Sequence, residues 1–241
     1  MKILLNNKDL GISYIKLTRN KNIIEDQLLM KVNGFYQQDV LDLIEYKGNL
    51  SIEVESKNSE AFCLYKTTFI TNYIFASDDE DEVNEDILLN INMMNNESIL
   101  GGGYNQYIVD IFYNWERDVE INWNEIDDIE TKNNYLRACY LWNASLFTLK
   151  DVKDVYIDGK LINCREDIYY QLGELLIGKR GYFGSNLDAL EDYLIDIVKN
   201  NEIDTTIIFN DTDVIIRNTS NYFFETLIYL LEKAKFKIEI R

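Results

Sequence analysis

The residues best placed to do chemistry lie between positions 182 and 196. In GYFGSNLDALEDYL (181–194), Asp188, Glu191 and Asp192 recur at spacings of three and four, and Asp196 continues the series. On a helix this spacing spreads the four carboxylates over one side, opposite a stripe of Leu187, Leu190, Leu194, Ile197 and Val198. Asp188–Asp192 and Asp192–Asp196 are like-charge pairs at i,i+4, each costing roughly 0.2–0.5 kcal/mol, and no base is spaced to offset them. A face tuned for stability alone would mix signs. Such a face suits either a divalent cation or a basic protein surface. Tyr182 and Phe183, framed by Gly181 and Gly184, add the combination of aromatic anchor and desolvatable charge expected of a binding surface.

Composition removes many alternatives. The chain has 241 residues, of which 46% are hydrophobic and 13% aromatic, enough for a substantial core. It has no histidine, which rules out Ser-His-Asp and Cys-His catalysis and His-ligated zinc. The net charge is −18, with both halves acidic, so phosphate neutralisation is disfavoured and direct nucleic-acid binding is not expected. Cys63, Cys139 and Cys164 are too scattered for a disulfide framework or a zinc site and are expected to be buried, reduced thiols. The apolar run at the N-terminus is too short for a signal core and no stretch would span a membrane, so a cytoplasmic location without membrane contact is expected. The Asn-x-Ser matches at Asn96, Asn143 and Asn218 then carry no glycosylation.

The elements that must position the acidic stripe follow from periodicity. Residues 151–241 give a strand at Val155 to Ile162 entering an Asp-Gly turn and a helix from Arg165 to Ile177. A glycine-punctuated loop follows, then a helix from about Asn186 to Lys199 capped by Ser185 or Asn186. A strand at Thr205 to Phe209, a helix from Asn221 to Lys235 and a last strand at Phe236 to Arg241 complete the unit. Strands joined by helices pair in parallel, which predicts an α/β domain with a small three-stranded parallel sheet flanked by helices. Residues 1–150 are expected to form a separate β-rich (α+β) domain ending in a helix over about Thr131 to Phe147. Its strands are placed at Ile12 to Leu17, Ser51 to Glu55, Ala61 to Ala76, Tyr107 to Trp115 and Asp118 to Trp123. Ser77 to Asp86 is a solvated acidic loop lacking calcium-loop spacing, and Gly101 to Gly103 form a tight turn. Gly173 to Lys179 spells the start of a phosphate-binding loop, but Arg180 stands where Ser or Thr is required. Gly178 is expected to be the helix C-cap.

With the elements placed, YFGSNLDALED (182–192) resembles the binding loop and second helix of the barstar family, intracellular inhibitors of ribonucleases. The order of elements over about 154–241 agrees. The resemblance implies a protein that plugs a nuclease active site, with the acid at Asp192 in the substrate phosphate position. Tyr182, Phe183, Gly184, Asn186, Leu187, Asp188, Glu191, Asp196 and, near the end of the last long helix, Glu232 would share the contact. The family's namesake has tryptophan where this chain has Glu191, so the nuclease recognised need not be the same one. A cationic nuclease site is well imitated by preplaced carboxylates on a stiff helix. The expected function is therefore that of an immunity protein or antitoxin with a basic nuclease toxin as partner, no catalytic residues, no metal and no cofactor. Two alternatives remain from the residues themselves: a carboxylate-based, metal-dependent hydrolase, or a protein whose main binding or dimerisation role lies in residues 1–150. Oligomeric state is left open.

Overall fold

In a computed structural model of the chain, residues 1–9, 11–18, 27–33, 48–75, 84–91, 97–98, 104–143 and 148–241 are described. They divide into two compact units, Met1–Ile121 and Asn122–Arg241. The first unit is strand-rich. Strands β1 (Lys2–Leu5), β2 (Lys8–Asp9), β3 (Ile12–Thr18), β4 (Gln27–Asn33), β5 (Gly48–Glu55), β6 (Ala61–Phe75) and β7 (Asn84–Ile91) form an antiparallel sheet in the order β2-β1-β5-β6-β7-β4-β3, and β8 (Glu97–Ser98) pairs with β6. Alternation in β1 and β5 buries Ile3, Leu5, Leu50, Ile52 and Val54.

This unit also contains a helix, α1 (Gln106–Glu116), where the sequence suggested a strand over Tyr107 to Trp115. Its buried residues Ile108, Val109, Ile111, Phe112 and Trp115 follow helical spacing, and the Asn105 side chain caps the first turn by accepting from the Ile108 N–H. Aromatic and β-branched composition suggested a strand, but capping and periodicity together decide for the helix. On the unburied side of α1, Asp110 accepts hydrogen bonds from the Tyr14 hydroxyl and the Gln106 amide, each at 2.7 Å, tying the helix to β3.

The second unit begins earlier than the 150/151 boundary expected from sequence, because the helix preceding that boundary packs into it. The expected strand at Asp118 to Trp123 is absent; Trp123 instead opens a 3₁₀ turn, Trp123–Glu125. Helix α2 (Ile129–Asn143) follows, where the sequence suggested Thr131 to Phe147; it starts two residues earlier, and residues 144–147 lie outside the described residues. The expected loop at Ser77 to Asp86 and the turn at Gly101 to Gly103 also fall largely or wholly outside them, apart from Asn84 to Asp86, which begin β7.

The rest of the unit is β9 (Asp154–Asp158), α3 (Arg165–Leu172) continuing as a π-helical turn Gly173–Ile177, α4 (Leu187–Asn200), β10 (Thr206–Asn210), α5 (Thr212–Thr219), α6 (Asn221–Lys233) and β11 (Lys237–Ile240). The three strands pair in parallel in the order β11-β10-β9, as each crossover through helices requires. Ile157, Ile207 and Phe209 of the sheet and Leu172, Leu190, Ile197, Leu227 and Leu231 of the helices are all fully buried in the interior.

What binds α2 to this unit is a buried polar knot around Asp167 in the first turn of α3. One carboxylate oxygen accepts from the Lys132 ammonium and the Trp123 indole N–H, both at 2.8 Å; the other accepts from the backbone N–H groups of Asn163 and Cys164 at 2.7 and 3.0 Å. Burial opposes the charge, yet the Lys132, backbone and indole hydrogen bonds hold the Asp167 carboxyl below the usual carboxylate range. The Trp123 ring stacks on Tyr170 with centroids 4.4 Å apart. Among the described residues no helix is long and apolar enough to cross a membrane.

Candidate functional site

The acidic stripe lies on α4, and the loop that precedes it is set by backbone contacts that only glycine permits. The π-helical turn ends at Gly178, whose φ of +116° is costly for any side chain. Gly173 and Gly181 face each other so closely that a Cβ on Gly173 would stand 2.3 Å from the Gly181 carbonyl oxygen. These glycines of the would-be phosphate loop thus serve close backbone packing. Gly184, at φ +100°, sits where a Cβ would come within 2.9 Å of the Leu190 Cα, so the loop lies directly on α4.

The start of α4 is fixed by Asn186, not Ser185: its side-chain oxygen accepts from the Ala189 N–H at 2.8 Å. Ser185 precedes the cap and is half-buried. Asp188 occupies the first turn, where a carboxylate favours the positive end of the helix dipole. Leu190, Tyr193, Leu194 and Ile197 are buried, Leu187 is half-buried, and Asp188 and Asp192 are exposed. Among the described residues neither of these two aspartates makes an ion pair.

The expectation of four carboxylates without a base holds for only those two. Glu191 accepts from the Lys233 ammonium of α6 at 2.7 Å, and Asp196 from Lys199 at 2.9 Å. Lys233 comes from another helix, which spacing within α4 could not reveal; Lys199 is at i+3 and was legible. Glu232 itself is exposed and lines a shallow groove with Thr212, Ile216 and Tyr229, while its neighbour Lys233 is the residue that reaches α4.

The two loop aromatics also differ from their expected role as surface anchors. Phe183 is fully buried, its ring 5.7 Å from Tyr193 and 6.2 Å from Phe236. Tyr182 is 7% exposed, between Tyr193 at 5.5 Å and Tyr140 of α2 at 5.1 Å. Burial pushes the Tyr182 hydroxyl pKa up, against the opposing Ser185 hydrogen bond. The tight glycine turns at 181 and 184 fold both rings inward. Tyr140 is a residue that sequence alone did not single out, since α2 carries large residues nearly all round.

Further along the loop, Arg180 is buried with φ +58°, and its guanidinium lies over the Trp142 ring at 5.1 Å. The Asn143 side-chain amide donates to the Arg180 carbonyl at 2.7 Å and to the Cys139 carbonyl at 2.6 Å. Of the cysteines only Cys139 is buried; Cys164 is half-buried and Cys63 exposed, against the expectation of three buried thiols. Among the described residues no three acidic or thiol side chains are grouped so as to hold a metal ion.

No curated protein matches the chain. Residues 152–239 match the family model described as Barstar (barnase inhibitor), a span that begins just before β9 and ends within β11. The loop, the capped helix and the three-stranded parallel sheet therefore all fall inside one recognised inhibitor fold, and the C-terminal part of this chain is a barstar-family domain.

Proposed function

We propose that the protein is an immunity protein that silences a basic ribonuclease by seating the N-terminal half of α4 in its active site, Asp188 and Asp192 taking the places of substrate phosphates. One observation carries this reading: within the barstar segment, these two carboxylates stand exposed and without a base at a helix start held by the Asn186 cap and the Gly184 contact. A nuclease site must be cationic to hold its substrate, and a rigid acidic surface opposes it at little ordering cost. Asn186, Leu187 and Gly184 frame the contact; Glu232 contributes negative field around it, while Glu191 and Asp196 flank it as ion-paired groups, bound to Lys233 and Lys199. Tyr182 and Phe183 support the loop from beneath.

The test is RNA cleavage by barnase, and by the product of the gene beside this chain's own, in stoichiometric mixtures with the purified protein. Inhibition of at least one is expected, weakening with salt and falling by about 2 kcal/mol or more in Asp192→Ala. Full nuclease activity in both mixtures would falsify the proposal.

A further inference from the structure

We propose that Tyr140, on a helix outside the barstar segment, is the aromatic contact this protein offers its nuclease; the inference rests on the function proposed above. The loop's own aromatics are unavailable: Phe183 is fully buried, and Tyr182 is only 7% exposed. The side chain covering Tyr182 is Tyr140, in edge-to-face contact at 5.1 Å, and it is itself 49% exposed. A half-exposed ring packed on the loop that leads into Asp188 can extend a contact made there, and tyrosine supplies contact area at low entropic cost.

Helix α2 could instead be a lid that leaves when the nuclease arrives. Its anchoring argues otherwise. Asn143, 2% exposed, bonds the Arg180 carbonyl of the loop at 2.7 Å, and Lys132 is buried against Asp167 at 2.8 Å. Displacing α2 would strip a buried carboxylate and a buried amide of their partners. The helix is a fixed wall of the site, and because it lies outside the matched residues 152–239 it gives this protein a partner preference that the family segment alone does not set.

The experiment measures binding and inhibition of barnase and of the neighbouring gene's product, using the full chain and its Tyr140→Ala, Tyr140→Phe and Asp192→Ala variants. Tyr140→Ala should weaken binding about tenfold, chiefly through faster dissociation, while Tyr140→Phe stays near wild type. Unchanged hydrogen exchange in α2 and the 178–186 loop establishes that the alanine variant keeps its fold. If Tyr140→Ala binds as wild type while Asp192→Ala does not, the role of Tyr140 is overturned and the inhibitory function stands. Tighter binding by Tyr140→Ala would make the residue a cover over Tyr182 and overturn the inference equally. If neither nuclease binds, or Asp192→Ala has no effect, the functional reading fails and this inference with it.

Discussion

Replacing Lys132 with methionine removes one partner from the knot that binds α2 to the barstar domain. Both side chains are deeply buried, Lys132 at 9% and Asp167 at 3% exposure, so Asp167 would be left as an uncompensated charge with little access to water. Breaking such a pair costs about 3–5 kcal/mol in general. Here Asp167 keeps the Trp123 indole and the Asn163 and Cys164 amides, and methionine preserves most of the packing. The expected loss is therefore smaller, about 2–3 kcal/mol. Native-state hydrogen exchange reads it locally: amides of α2 should exchange roughly 30- to 150-fold faster, at about 1.4 kcal/mol per decade. Asp167→Asn in the Lys132→Met background should recover part of that protection, because the stranded charge is gone. The pH dependence follows from the low folded pKa of Asp167: its contribution is full above about pH 4, the ordinary aspartate value, and disappears as pH falls through the lower folded value. Asp167→Asn should accordingly flatten the loss of α2 protection as pH falls below about 4. Unchanged α2 exchange in Lys132→Met would refute the reasoning and return α2 to the status of a loosely attached linker.

Two further outcomes follow from the loop and the thiols. Gly184→Ala places a side chain at φ +100° against the backbone of Leu190 and should lower stability by about 1–3 kcal/mol, seen as a lower melting temperature; a melting temperature equal to wild type would contradict the close approach. In alkylation at pH 8, exposed Cys63 should react first and half-buried Cys164 slowly, since burial and then Asp167 push its pKa up to about 11. Fully buried Cys139 should react only on unfolding, and early labelling there would contradict its placement.

The second unit was largely legible because its signals are local. Asn186 ahead of a Leu190–Leu194–Ile197 stripe announces a capped helix, and β-branched Thr206 to Phe209 between helices announces a parallel strand. The eight residues of α5 were missed: Thr212–Thr219 is short, and only Ile215 in it is buried. In the first unit, α1 had helical spacing, but its aromatic and β-branched residues favour strands by composition. The site was legible in its acids but not in their surroundings. Whether Tyr182 faces solvent depends on Tyr140, and whether Glu191 is unpaired depends on Lys233, both far away in sequence. The unit boundary was hidden for the same reason, since Lys132 and Asp167 are an unremarkable base and acid until folding brings them together.

The bond between Glu191 and Lys233 couples two helices at the very position where the family's namesake carries an aromatic residue. If the protein acts as proposed above, exchanging Glu191 for an uncharged side chain would leave Lys233 a cation without its acid beside the proposed contact, weakening capture of a basic partner. On that proposal, redirecting the surface toward another nuclease calls for paired substitutions on α4 and α6.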